Sequence, residues 1–417
     1  MKRLTVAISA AMLLGTGCGG GDNIVGAVSS QLAPGTAARP ILSNAEAGKY
    51  TKAAYFTGAT SWNPTGVSVD GVTRPNFIVG QTVGVGGATH SSLQQAINAA
   101  IAKGGTQRIY IEVLRGTYSG TVYVPRTSTP ITVYGSDADA STTQISLAID
   151  GAVDSPATYS ATVNPSGRYV SGDPAYPLYQ SCASLTSASI GTNCSAVFWV
   201  QATGFEMKNL TVVNSLLDTV DNGTHQAVAL RIDADQVQLD NVRLIGRQDT
   251  FYLNGQTGSE RVYISNSYVE GDVDFDFGSS RAVYENCVFH IVSSRKTSGF
   301  VFAPDTVPSQ PYGFLVLNSH FTADAGFHAG SNAAQLGRAW DQGASKTGYI
   351  AGSTPNGQLV IRESNEDAAF SNVSPWGAAA TTSRPHAGNS SSTRNLDDPA
   401  YNRLWEYDNF GAGAKSS

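Results

Sequence analysis

The chain has 417 residues, 41% hydrophobic and 14% charged, which excludes a disordered chain and leaves room for two average domains or one elongated repeat with a continuous core. Lys and Arg total 26 against 32 Asp and Glu, a net charge of -6; a mildly acidic chain without a basic block is not built to bind nucleic acid. No apolar run reaches the ~18–20 residues of a membrane-spanning helix, and 44 glycines with only 3 methionines suit short strands and turns better than a helical bundle.

Lys2 and Arg3 precede an apolar stretch from Leu4 to Leu14, followed by Gly15-Thr16-Gly17-Cys18. A positive start, a short apolar run and small residues before a cysteine resemble a bacterial lipoprotein signal. The resemblance implies removal of residues 1–17 and lipidation of Cys18, although Leu14 stands four residues before the cysteine where three is usual. Gly19 in place of Asp then implies an outer-membrane lipoprotein; without lipidation the protein is periplasmic or secreted. Residues 18–40 are rich in Gly, Ser and Ala and read as a flexible tether, leaving 41–417 as one folded domain.

Export implies an oxidising compartment. Cys182 and Cys194 lie twelve residues apart in a Ser/Thr-rich loop and are expected to form a disulfide. Cys287, inside the apolar pattern Val283-Tyr-Glu-Asn-Cys-Val-Phe289, is expected as a buried free thiol. The six His are scattered, with no CxxC and no metal-ligand spacing, so no metal is expected and surface or packing roles are the default for them.

Leu93, Ala96, Ile97, Ala100 and Ile101 make one apolar helical face over 91–103, with Ser91 or Ser92 to cap its start and Gly104-Gly105 to end it. A strand follows at 108–113 and a turn at 116–118. After residue 200 short alternating runs each end in an Asn: Asn209, Asn241, Asn266, Asn286 and Asn318, at intervals of 20 to 32. One Asn per coil fits a stacked-strand solenoid, because Asn tolerates the left-handed backbone of a tight turn. An antiparallel sandwich would show turn signals every ~8–12 residues. The predicted fold is therefore all-β, a right-handed parallel β-helix with an N-terminal capping helix. The 126–200 segment, 319–358 and the tail to Trp405 are expected as long loops on it.

Four segments look wrong for pure structure: His225-Gln226-Ala-Val-Ala-Leu230, Gly246-Arg247-Gln248-Asp249-Thr250-Phe251-Tyr252, Gly271-Asp272-Val273-Asp274-Phe275-Asp276-Phe277-Gly278 and Leu336-Gly337-Arg338-Ala339-Trp340. Together they supply what ester hydrolysis needs. One carboxylate must be ionised, a second must hold a proton, donors must face the developing oxyanion, and an Arg can keep one carboxylate charged. The chain has no G-x-S-x-G elbow for a serine route. Three alternating Asp cannot alone supply the ~6–8 oxygen ligands of calcium, and Asp272 and Asp276 are expected as solvated or turn residues.

In order and spacing these four segments resemble the signature set of the pectinesterases, carbohydrate esterases on a right-handed β-helix. Leu93-Gln-Gln-Ala-Ile-Asn-Ala-Ala100 and Gly116-Thr-Tyr118 also resemble that family's N-terminal region, and the similarity spans roughly 75–405. With its signal and long loops the chain is similar to the bacterial outer-membrane lipoprotein branch. The resemblance implies Asp274 as nucleophile, Asp249 as general acid and later base, and Gln226 and Gln248 as oxyanion donors. It implies Arg338 as the partner of the nucleophile, and Trp340, with Tyr252, as sugar-site aromatics. It implies a monomer that needs no cofactor and removes methyl esters from galacturonate units of methyl-esterified pectin or oligogalacturonides, held to the membrane by its lipid anchor. Three positions depart from the family: Asp276 replaces an Ile, Ala339 a Pro, and Gly120 stands where Glu is common. Asp276 is expected to add negative charge beside Asp274 and weaken binding of a polyanion. Three rivals are weighed: a pectate lyase or polygalacturonase, which would need a calcium cluster or Asp placed for glycosidic cleavage; an esterase or thioesterase for another acyl group, which stays open; and a non-catalytic carbohydrate-binding envelope lipoprotein, against which the intact constellation argues.

The anchor can be tested directly. Cys18→Ala is expected to leave the protein soluble or unprocessed, read by membrane fractionation and acyl labelling; unchanged labelling rejects a lipid at Cys18.

Overall fold

The computed structural model describes residues 32–414 except 256, 258, 297 and 331. The signal segment, Cys18 and residues 19–31 of the expected tether lie outside the described residues. Among the described residues, parallel strands stack into sheets of ten, eight and seven, the right-handed parallel β-helix that the Asn repeat predicted. One coil runs Val237–Asp240 in the ten-stranded sheet, Arg243–Ile245 in the eight-stranded sheet and Phe251–Leu253 in the seven-stranded sheet. The next runs Arg261–Ser265, Tyr268–Gly271 and Val273–Gly278.

In-register pairing stacks like on like. Val237, Val262, Ala282 and Phe314 form one inward column, and Leu239, Ile264, Tyr284 and Val316 another. All eight side chains are buried in one continuous core, so truncating Ile264 to Ala would cost about 2–5 kcal/mol. The repeated Asn occupies the corner between the ten- and eight-stranded sheets. Asn209, Asn241, Asn266, Asn286 and Asn318 all have φ between 48° and 57°. Each donates its backbone N–H to the carbonyl that closes the next strand, as in Asn241 to Ser265 and Asn286 to Leu317. Glu363 and Asp408 continue the column with φ of 55° and 50°, so the left-handed corner outlasts the Asn signal. Asn side chains bond directly at one step, Asn241 Nδ2 to Asn209 Oδ1; Asn266 Nδ2 bonds Asp240 instead.

Helix α1 (Leu93–Lys103) caps the first coil, burying Leu93, Ala96, Ile97 and Ala100. Gly104 ends it at φ 65°, while Ser92 stands at the N-cap without a side-chain cap bond. The opposite end is closed by the chain's own early segment. Arg39, which the sequence placed in the tether, is buried, and its guanidinium bonds Glu366 at 2.8 Å and Glu406 at 2.6 Å. A charge removed from water must be paired, so these contacts hold residues 34–41 against the last coil. Leu42, Tyr50, Tyr55 and Phe56 then pack on Tyr263, Val283, Leu315, Val360 and Trp405 along the outside of the ten-stranded sheet.

Other loop assignments also change. The stretch 126–200 contains strands Ile131–Gly135 and Thr143–Leu147, because its alternating apolar residues pair with neighbouring coils; the insertion proper is 148–196. The 319–358 stretch holds strands His320–Ala323 and Gln335–Gly337. Trp405 lies in Arg403–Tyr407, the last strand of the ten-stranded sheet. Asp272 and Asp276 are fully buried rather than solvated. Asp272 pairs with Arg295 at 3.0 Å. Asp276 faces the lumen, pairs across the ladder with Phe251 and Phe302, and accepts a hydrogen bond from Tyr284.

Burial raises the Asp276 carboxyl well above the usual carboxylate range, with Tyr284 opposing. It is therefore held neutral and adds no charge beside Asp274, contrary to the expectation for this departure from the family. A carboxyl with a raised folded pKa stabilises fully below its unfolded value of about 3.9, and that contribution is lost as pH rises through the folded value. Stability is thus expected to fall from about pH 4 upward, and Asp276→Asn, which keeps the acceptor for Tyr284, to flatten the fall. Urea unfolding at pH 5 and pH 8 measures the slope; an unaltered slope in Asp276→Asn means that Asp276 is ionised in the fold.

Candidate active site

The four polar segments meet on the outer face of the seven-stranded sheet, each from a different coil. Gln226 and Gln248 form an isolated parallel bridge where two successive coils enter that sheet. Asp249 lies two residues before Phe251 and Asp274 two before Asp276, and Phe251 pairs with Asp276. The two carboxyls therefore share one register position on neighbouring strands, which run ~4.8 Å apart. Both have left-handed backbone, φ 66° and 50°. Asp274 sits where the ladder to Phe300–Pro304 shifts register between Val273 and Asp276, and a bulge of this kind re-aims a side chain.

Arg338 follows strand Gln335–Gly337, two coils further on. Its Nε and Nη2 donate to Asp274 Oδ1 and Oδ2 at 2.8 and 2.7 Å, a bidentate pair with the Arg carbon 4.1 Å over the Phe300 ring. Among the described residues no cation pairs with Asp249; Gln226 Nε2 donates to its Oδ2 at 2.9 Å. Burial first, and the Asp274 charge second, raise the Asp249 carboxyl well above its usual range. Two carboxyls side by side thus have different surroundings: Asp274 is ion-paired with Arg338, and burial favours the protonated form of Asp249. Gln248 Oε1 accepts the His225 backbone N–H at 3.1 Å, which turns the Gln248 amide N–H group away from that contact.

A cleft of about 310 Å³ lies over this group, lined by Gln226, Gln248, Asp249, Asp274, Arg338 and Trp340, with Thr192, Thr224, Phe277, Ala380 and Thr381 on its walls. Six of the seven site residues named from sequence line it. Tyr252 does not: it is buried, stacks on Phe277 at 4.4 Å and donates to Asn254. It supports the aromatic floor, and Phe277 takes the place expected for it. Phe277 was within reach of the sequence, inside the Asp274 motif. Thr192, Thr224 and Thr381 come from separate loops and carried no signal. Among the described residues no group of three or more His, Cys, Asp or Glu is arranged to hold a metal ion.

The 148–196 insertion forms one wall. Tyr159 of its helix α2 (Pro156–Val163), Tyr179 of α3 (Tyr176–Ala183) and Tyr169 between them pack against Tyr123 and Trp199 of the sheet. The Cys182–Cys194 disulfide is present and ties α3 to the turn carrying Thr192. Cys287 is the buried free thiol expected.

The family profile described as Pectinesterase matches residues 180–355. "Pectinesterase B" of Dickeya dadantii is 50% identical over 422 residues, covering 97% of this chain and 96% of that one. A "putative acyl-CoA thioester hydrolase" of Escherichia coli is 44% identical over 407 residues, covering 93% and 91%. The solved structure of rice weevil pectin methyl esterase superposes with a TM-score of 0.84 at 42% identity, covering 92% of this chain and all of that one.

The carboxyl asymmetry has a readout that needs no substrate. Asp274→Asn removes the charge that ranks second among the causes raising Asp249, so the Asp249 carboxyl is expected to titrate at lower pH than in the wild type. Carbon-13 carboxyl NMR measures it; an unmoved Asp249 would falsify the coupling.

Proposed function

The chain belongs to the pectinesterase family and is a carboxylic ester hydrolase, and from that premise we propose that it removes methyl esters from galacturonate units of pectin or methylated oligogalacturonides. The observation that carries this reading is the placing of Arg338-bound Asp274 beside buried Asp249, which has Gln226 as its hydrogen-bond donor, across one inter-strand step. An Asp274 oxygen attacks the ester carbonyl carbon. Gln226 and Gln248 donate to the oxyanion as it forms. The bond to the methoxy oxygen breaks as Asp249 gives that oxygen its proton, and methanol leaves. Asp249, now a carboxylate, takes a proton from water, whose oxygen attacks the acyl carbon. The anhydride to Asp274 opens, and both carboxyls return to their starting states. Trp340 and Phe277 offer apolar faces to the sugar ring. No step calls for a cofactor. The lipoprotein-like start supports an outer-membrane anchor at Cys18, and the proposal includes a monomer held there by its lipid.

A second reading is hydrolysis of an acyl thioester, favoured by the name of the Escherichia coli relative. The same nucleophile and donors serve it, since only the leaving group differs.

Methanol release from methylated oligogalacturonides, beside thiol release from an acyl thioester, separates the two. Asp274→Asn is expected to abolish methanol release while binding of the methylated oligomer survives. Gln226→Ala and Gln248→Ala are each expected to lower kcat by about 10²–10³-fold. Substantial esterase activity in Asp274→Asn removes Asp274 as nucleophile; thiol release without methanol release selects the second reading.

A further inference from the structure

His225 is the residue before Gln226, and the proposed chemistry does not use it. Its ring lies between two carboxylates from different elements. Nδ1 is 2.5 Å from Asp150 Oδ2, and Nε2 is 3.0 Å from Asp221 Oδ1. A neutral imidazole has one N–H and one lone pair and can donate to only one of them. Asp150 is buried at the root of the 148–196 insertion, whereas Asp221 is exposed in the 215–225 loop. The same stretch of chain is tied to the oxyanion donors through its backbone. The His225 N–H donates to Gln248 Oε1 at 3.1 Å, the Gly151 N–H to the Gln226 carbonyl at 2.8 Å, and the Ala227 N–H to the Gln248 carbonyl at 3.1 Å.

Resting on the esterase reading of this cleft, we propose that His225 is a positioning residue: as an imidazolium clamped between Asp150 and Asp221, it locks the root of the insertion to the segment bearing Gln226 and holds the Gln226 and Gln248 amides aimed at the oxyanion. Its side chain fixes the insertion and its own N–H fixes Gln248, so one residue sets both donors relative to Asp274.

The surrounding charges are accounted for. Asp154 accepts the Asp150 N–H. Arg295 donates to the Asp221 carbonyl and pairs with Asp272. Lys296 donates to the Asn222 and Gly223 carbonyls. Arg247 pairs with Asp218 and Glu270. Both cations on the 293–296 turn thus bind loop carbonyls, leaving Asp150 and Asp221 as the carboxylates that meet the imidazole. The Asp150 hydrogen bond raises His225 above its ordinary value, with burial opposing and Asp221 adding to the rise. The clamp is accordingly complete below about pH 6.5 and is lost as pH rises through the raised value.

The test uses the full chain, with two readouts. Imidazole NMR titration is expected to place wild-type His225 above 6.5, with lower values in Asp150→Asn and Asp221→Asn. In methanol-release kinetics His225→Ala is expected to lose about 10- to 100-fold in kcat with little change in KM. His225→Ala/Asp150→Asn should be no slower than His225→Ala alone, because the pair acts as one unit. Asp221→Asn, an exposed-loop change that threatens folding least, should lose kcat only between its own His225 pKa and that of the wild type. Wild-type kcat in His225→Ala, a loss confined to KM, or wild-type His225 titrating at or below 6.5 overturns the proposal. A wild type that releases no methanol sinks the esterase reading instead, and the titration still decides the clamp.

Discussion

Parallel stacking is the constraint from which the rest of the molecule follows. Each strand can satisfy its backbone only through the coils above and below it, so consecutive coils are held ~4.8 Å apart. That repeat is also the ruler of the active site. Gln226, Gln248 with Asp249, Asp274 and Arg338 come from different coils of one sheet, and their mutual distances are set by ladder hydrogen bonds rather than by loops. A site built on such a ruler is preorganised, because moving one group by an ångström means breaking a sheet. The register shift between Val273 and Asp276 falls on the residue that must reach outward.

Two neighbouring carboxyls in one cleft would ordinarily share their fates. Here their partners differ. Asp274 receives both arms of a guanidinium, whereas Asp249 receives a neutral amide and full burial. The same physics acts twice more nearby, once with each outcome. Asp272 is buried against Arg295, and Asp276 is buried against a phenol and held neutral. The four acidic residues thus fall into two kinds, two paired with an Arg and two buried beside a neutral donor, decided by what each one touches.

Much of this was legible in the sequence. The corner Asn is a local signal, since few residues accept a positive φ, and five of them in order are enough to suggest a solenoid. Helix α1 announced itself by its apolar spacing. The four polar segments stood out because Asp, Gln and Arg interrupted apolar patterns that had no packing reason to contain them. What was hidden depends on partners distant in the chain. The alternation of 131–135 and 143–147 is short and surrounded by Gly, Ser and Pro, and only the neighbouring coils make it sheet. The alternating Asp of 272–276 gave no sign of which side chains face the lumen, because the register shift disturbs the alternation. Arg39 reads as one more polar residue in a loose segment until Glu366 and Glu406, over 300 residues away, arrive beside it. The cleft's threonines lie on three separate loops, and no spacing rule joins them.

The docking of residues 34–42 on the final coil has a consequence for how the molecule is made. Ile41 pairs in parallel with Glu406, so a segment synthesised early completes the edge of a sheet synthesised last. Such a contact spans nearly the whole chain, and contacts of that kind form late. The coils between can stack progressively, each on its predecessor, while the open edge and the buried acidic pair wait for their cover. Closure of this seam is then the event that covers the last strand of the ten-stranded sheet. A molecule arrested before it would present a sticky end, which makes completion of the seam a natural checkpoint against end-to-end fibre growth.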